Sequence, residues 1–231
     1  MGVAAVSASD VWAVGTHGSS SGNRALTERW NGSSWSIVKS LNAGSYENEL
    51  SGVAVVAAND VWAVGAYRDS EATFQTLIEH WNGSSWSIVP SPSPSSSGNY
   101  LSGVTAVSAS NIWAVGYQGT TLIEHWNGSN WSVVPSPSPG GNDNNFLISV
   151  ATVFSNSVWA VGVYQDGSGN YQTLIEHWNG SSWSVVPSPN PGISYSALAG
   201  VVRVPTTHQV WAAGNYRNSS GVDQTLTEFH G

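Results

Sequence analysis

The chain has 231 residues, 40% hydrophobic and only 9% charged, with Lys39 as its sole lysine and a formal net charge of -8. So little positive charge excludes a nucleic-acid partner, which needs clustered Lys and Arg, and the lack of cysteine excludes a disulfide framework, a thiolate metal site and a cysteine nucleophile. There is no apolar run of the roughly eighteen residues that membrane insertion by a helix requires.

Polarity is carried instead by Ser, Asn, Thr and Gly. This composition is expected of an exported protein, extracellular or on the cell surface, although the opening MGVAAVSASD has no signal-peptide pattern.

Taken in chain order, the apolar segment GVAAVS leads through a polar turn into VWAVG, whose Trp12 recurs as Trp62, Trp113, Trp159 and Trp211 at intervals of 50, 51, 46 and 52 residues. After each comes a segment of the type LIEHWNGSSWSIVP, with paired tryptophans Trp30 and Trp35, Trp81 and Trp86, Trp126 and Trp131, and Trp178 and Trp183. The repeats span approximately 1–49, 50–100, 101–146, 147–197 and 198–231, within a single domain over 1–231. The third copy is the plainest: LSGVTAVSA, NIWAVGYQ, TTLIEHW and NWSVVP are short, β-branched or aromatic, and bounded by turn residues, which predicts four strands.

Asn-Gly stands between the third and fourth strands at Asn31-Gly32, Asn82-Gly83, Asn127-Gly128 and Asn179-Gly180, the pair favoured by type I′ hairpins. A two-residue loop would set Trp126 opposite Ser129, and a four-residue loop opposite Trp131; the sequence leaves both open. The fifth copy ends in TLTEFHG before the second tryptophan of its pair, so nineteen strands are expected, with the fifth blade lacking its outer strand.

Both faces of each four-stranded unit carry apolar residues, so each sheet must pack between neighbours. The expected fold is all-β, a five-bladed β-propeller of four-stranded antiparallel blades. The order V-x-A-V-S, V-W-A-V-G, L-I-E-H-W-N resembles that of WD40-type and kelch-type blades, although Trp-Asn-Gly replaces the Trp-Asp ending and kelch's double glycine is missing. By analogy of blade count, the resemblance implies company with secreted lectins and glycan-cleaving enzymes.

Long, divergent second-to-third and fourth-to-first connections collect on one face of such a fold, where binding is expected. Two columns recur there: His17, Tyr67, Gln118, Tyr164 and Tyr216 after the second strand, and Asn48, Asn99 and Asn145 before the first, with Tyr100 and Phe146 beside the last two. Aromatic faces beside amides suit sugars, whose C–H faces stack on rings while their hydroxyls hydrogen-bond. The competing expectation is that the tyrosines fill gaps between blades and the asparagines brace turns.

Glu28, Glu79, Glu124, Glu176 and Glu228 recur in the third strand, followed by Arg29, His80, His125, His177 and Phe229. Neighbours along a strand point to opposite faces, so a Glu could meet only the His of another blade; a structural hydrogen-bond network between blades is expected. A glycosidase needs one unique acid pair, and the non-repeating Asp143, Asp166 and Asp223 belong to no fixed motif. QDGSGN around Asp166 lacks the dense carboxylates of a calcium loop.

The VWAVG tryptophans are expected in the core and Trp35, Trp86, Trp131 and Trp183 partly exposed, with the PSPSP segments as extended linkers. The expected function is therefore a non-enzymatic, lectin-like module binding a glycan ligand at repeated sites. Protein interaction or a structural role is the alternative, with a glycan-cleaving enzyme behind both; no catalytic residue, metal or cofactor is expected.

Overall fold

The computed structural model describes every residue except Ser21, Ser70, Glu71, Asn142, Asp143 and Gly231. Among the described residues there are nineteen strands and no helix. The first sheet holds β1 (Gly2–Ser7), β2 (Asp10–Ser19), β3 (Gly22–Trp30) and β4 (Trp35–Val38), and the second β5 (Glu47–Ala57), β6 (Asp60–Arg68), β7 (Gln75–Trp81) and β8 (Trp86–Ile88). The third holds β9 (Tyr100–Ser108), β10 (Asn111–Tyr117), β11 (Thr121–Trp126) and β12 (Trp131–Val133), and the fourth β13 (Asn145–Phe154), β14 (Ser157–Gln165), β15 (Tyr171–Trp178) and β16 (Trp183–Val185). The fifth holds β17 (Ser196–Arg203), β18 (Val210–Arg217) and β19 (Asp223–His230). Each sheet is a meander with its strands in chain order. This is the strand content of a five-bladed β-propeller whose last blade has three strands.

The chain forms two compact units, Met1–Ala114 with Glu124–Val133, and Val115–Ile123 with Val134–Gly231. In the first unit the interface between sheets is built from tryptophan. Trp12 of the first sheet is fully buried and packs on Trp81 and Trp86 of the second, with ring centroids 5.0 and 5.2 Å apart. Trp62 repeats the arrangement on Trp126 and Trp131, at 5.0 and 5.6 Å. Tilted and edge-on rings at these distances add to the large area that each indole removes from water. In the second unit His230 replaces the first tryptophan of the pair and lies 5.4 Å from Trp159.

The outermost tryptophans are more buried than expected. Trp86, Trp131 and Trp183 are 4%, 5% and 5% exposed, and in the first unit the reason is direct: Trp12 covers Trp86, and Trp62 covers Trp131. Of the four, Trp35 on the first sheet alone is open, at 46%.

The Asn-Gly turns are four-residue loops, since Trp30 faces Trp35, Trp81 faces Trp86, Trp126 faces Trp131 and Trp178 faces Trp183. The expected type I′ turn does not form: only the glycines take positive φ, 96 to 98°. Asn82 instead uses its side-chain oxygen to accept from the Ser84 amide, the Ser84 hydroxyl and the Ser85 amide. A Cβ on Gly83 would lie 2.8 Å from the Cβ of Asn59 in the β5–β6 turn, so the two turns abut at one end of the sheet. Gly83→Ala is expected to destabilise the protein by about 1–3 kcal/mol, through positive φ and this clash together; a urea titration with an unchanged midpoint would contradict it.

Two of the recurrent glutamates, Glu79 and Glu228, take their partners from the preceding sheet's linker. The Ser40 hydroxyl donates to Glu79 at 2.8 Å, and that of Ser188 to Glu228 at 2.9 Å. The histidines stay within their own sheets: His80 bonds Asp60 at 2.9 Å, His125 bonds Asn111 at 2.9 Å and His177 bonds Ser157 at 3.0 Å. Each also packs on its own sheet's tryptophan, with centroids 4.2–4.3 Å apart. The inter-blade network therefore runs from serine to glutamate, with no Glu–His contact across sheets among the described residues.

Burial pushes Glu79 up to about 7, against the opposing Ser40 and Leu41 donors, and Glu124, whose oxygens have no hydrogen-bond partner, up to about 8. Burial likewise raises Glu176 to about 8. The unfolded chain releases these protons near 4.5 while the native state keeps them. Their stabilising contribution is therefore whole below that value and is lost as pH rises through 7–8, at up to about 1.4 kcal/mol per pH unit for each group. The melting temperature should fall between pH 5 and 8 and then level off, and Glu124→Gln should flatten the fall. An equally steep fall in the variant would contradict this.

Candidate functional site

The ends of the sheets opposite the Asn-Gly turns carry the long connections. There, Asn48 faces Tyr67 across β5 and β6, Asn145 faces Tyr164 across β13 and β14, and Ser196 faces Tyr216 across β17 and β18. Asn48, Asn99 and Asn145 are wholly buried. Asn99 accepts from the Ser95 amide at 2.9 Å and donates to the carbonyls of Ser95 at 2.8 Å and Phe74 at 3.2 Å. Asn48 exchanges the same pair of bonds with Gly44, and Asn145 bonds the Gly140 amide and the Gly141 and Gly119 carbonyls. In the fifth sheet the Ser196 hydroxyl takes the accepting role, from the Gly192 amide at 3.1 Å. These side chains close the linker onto its sheet, and their amides are spent on backbone.

The second column divides. Tyr67 packs against the core between the first and second sheets and Tyr216 against that of the fourth and fifth, as gap-fillers do. Gln118 donates to the Thr120 hydroxyl at 3.3 Å, His17 is exposed and Tyr164 is half-buried.

Tyr100 and Phe146 instead belong to aromatic pairs where two sheets meet. Within the first unit Tyr100 packs on Phe74 of the β6–β7 loop, centroids 4.8 Å apart. Within the second, Phe146 lies edge-on to Tyr117 at 4.8 Å, and Tyr171 approaches Tyr195 at 5.8 Å. All six rings are half-buried. The first of these junctions extends further, because the Arg68 guanidinium lies 4.7 Å over Phe74 and 5.4 Å over Tyr46, held by Glu47 at 3.0 Å. Tyr46, Phe74, Tyr117, Tyr171 and Tyr195 fall outside the two columns that the sequence picks out. Their signal is position rather than identity: each lies within a few residues of a column, on the strand or loop of an adjoining sheet.

The loop acids have other employment. Asp166 accepts from the Ser168 and Asn170 amides and from the Gln172 side chain, at 2.9–3.0 Å; the backbone donors hold it below the usual carboxylate range. Asp223 pairs with Arg217 at 3.1 Å, and Asp143 lies outside the described residues. No three His, Asp or Glu side chains among the described residues are grouped as a metal would require.

Replacing Asn99 with Ala would leave the Ser95 amide and carbonyl without their side-chain partner, a loss of about 1–3 kcal/mol for each group left unpaired, while the Phe74 carbonyl keeps the Asn99 backbone amide. Amide exchange in Ser95–Tyr100 should accelerate in Asn99→Ala while the distant Asn82 turn stays protected; unchanged exchange in the linker would contradict the bracing role.

No protein-family model matches the chain, and no curated protein sequence does. Several solved structures share its fold at low identity. A protein of unknown function from Dyadobacter fermentans superposes with a TM-score of 0.62 at 11% identity, covering 99% of this chain and 74% of that one. YCF48 bound to D1 peptide gives 0.57 at 15% identity, covering 92% of this chain. Aleuria aurantia lectin with a fucosylated GlcNAc gives 0.55 at 13%, covering 94% of this chain and 74% of that one. The chain spans only 59% of the length of that YCF48, and 63% of YCF48 from Cyanidioschyzon merolae. Sheets, repeats and these likenesses together make the chain a β-propeller repeat protein of five blades.

Proposed function

We propose that the chain is a non-enzymatic binding propeller, and that its ligand is carbohydrate, taken at repeated sites where sheets meet at the loop end. The observation that carries this is the recurrence of half-buried aromatic pairs at those junctions: Phe74 with Tyr100, Tyr117 with Phe146, and Tyr171 with Tyr195. A pair fixed by its neighbours offers ring faces at little cost in entropy, and Ser, Asn and Gly loops around it offer the two-way hydrogen bonds that hydroxyls need. Asn48, Asn99 and Asn145 act behind the rings, holding the loops that carry them. His17, Gln118 and Tyr164 lie at the same ends and complete the polar rim.

Several weak, similar sites gain through simultaneous engagement of a branched or surface-fixed ligand. Aleuria aurantia lectin, solved with a fucosylated sugar, supports the class of ligand by analogy of fold. Catalysis is disfavoured because the recurrent glutamates are shared scaffolding and Asp166 and Asp223 are engaged in loop contacts. The Ser- and Asn-rich, lysine-poor composition suits a place outside the cell.

A peptide or protein ligand is the second reading. Ile193 and Val222, 62% and 53% exposed at the loop end of the fifth sheet, favour it, as does the likeness of fold to YCF48 bound to D1 peptide. A glycan array followed by calorimetry separates the two. Carbohydrate binding should appear with more than one site per chain, and Tyr100→Ala should remove about one site's worth of heat while the others remain. No binding to any sugar by folded protein would overturn the carbohydrate reading.

A further inference from the structure

The four Asn-Gly loops hold a chemistry that their turn-forming role does not use. Asn31, Asn82, Asn127 and Asn179 are exposed, and each side-chain oxygen accepts three donors at 2.8–3.1 Å. The donors are the amide and hydroxyl of the serine two residues on and the amide of the residue after it. An asparagine bonded in this way folds back over the peptide that follows it, as the first arm of a β-turn does, so its amide carbon lies beside the next residue's nitrogen. That nitrogen belongs to a glycine, which brings no Cβ to obstruct the approach. Among the described residues it donates no hydrogen bond in any of the four loops.

Three donors around one carbonyl oxygen polarise its carbon, and they stand where negative charge develops if that carbon is attacked, the arrangement of an oxyanion hole. The side-chain nitrogen, which such an attack would expel, is not held alike in the four loops. That of Asn127 donates to the Asn130 side-chain oxygen at 3.2 Å, and the same oxygen also draws the Ser129 hydroxyl, at 3.1 Å. The nitrogens of Asn31, Asn82 and Asn179 have no partner among the described residues. The buried Asn99 is the opposite case, its nitrogen tied to two carbonyls and Tyr100 following it.

We infer that Asn31, Asn82 and Asn179 are sites of self-modification, where the loop assists conversion of asparagine to aspartate and isoaspartate. Solvent hydroxide takes the proton of the Gly83 amide, whose nitrogen attacks Cγ of Asn82, and the electron pair displaced from the carbonyl rests on Oδ1 beneath its three donors. When that pair returns, the Cγ–Nδ2 bond breaks. The nitrogen leaves as ammonia, taking a proton from water and restoring the hydroxide, and a five-membered succinimide remains. Water then opens the ring at either carbonyl, so asparagine and water give aspartate or isoaspartate and ammonia. Each event adds one negative charge to a chain of formal net charge -8. Isoaspartate also lengthens the loop backbone by one atom, and loop length is what sets Trp81 opposite Trp86.

Peptide mapping by mass spectrometry tests this, on the full chain aged in mildly alkaline buffer with and without unfolding guanidinium. The folded protein should convert Asn31, Asn82 and Asn179 faster than the unfolded protein does, with Asn127 lagging behind them and Asn99 intact. Ser84→Ala, which removes the hydroxyl donor, should slow conversion of Asn82 by about tenfold. Asn31 and Asn179 should keep their rates in that variant, which also reports that it is folded, and Ser84→Thr should restore the rate at Asn82. Folded protein that converts no faster than unfolded, an Asn127 that keeps pace with the others, or a Ser84→Ala variant in which Asn82 converts as fast or faster would each overturn the proposal.

Discussion

The covering of one sheet's tryptophan by the next sheet's tryptophan pair is the contact on which the rest depends. Trp12 is wholly buried only because Trp81 and Trp86 close over it, and Trp62 because Trp126 and Trp131 do. Loss of such an indole from a packed interior typically costs about 3–5 kcal/mol, more than any turn or surface ion pair in the chain contributes. The four-residue Asn-Gly loops serve the same contact, since that length sets the two tryptophans of each pair directly opposite.

Polar groups are fitted around this apolar stacking. Glu79 and Glu228 sit where a sheet's third strand passes the previous sheet's linker, and Ser40 and Ser188 meet them there. Keeping Glu79, Glu124 and Glu176 protonated is what lets a carboxyl occupy so dry a place. At the loop end Asn48, Asn99 and Asn145 satisfy linker backbone that has no strand partner, which fixes where each linker delivers the next first strand. The junction rings are thus positioned twice, by the stacked sheets below and by the braced linkers beside them.

Sheet number, strand order and the three-stranded last blade were legible because they rest on periodicity, and the spacing from Trp12 to Trp211 displays that period openly. What was not legible depended on where a side chain points. Asn31 and its repeats signal a turn, but whether backbone or side chain makes it depends on the serines that follow, and there the side chain won. Tyr67 and Tyr100 are equally aromatic and both lie near the loop end, yet Tyr67 points into the core while Tyr100 meets Phe74 of the adjoining sheet. That pairing joins residues of two adjoining sheets, and the strand periodicity contains no trace of it.

If ligand meets the protein at the recurring junction rings, those rings must sense it together. Aromatic carbon-proton NMR spectra of the labelled chain, recorded during titration with a sugar that the protein binds, test this most directly. Tyr100, Phe146 and Tyr195 should shift together at similar concentrations while the core tryptophan Trp62 stays still. Shifts confined to one irregular patch around Ile193 and Val222, with the junction rings unmoved, would contradict it.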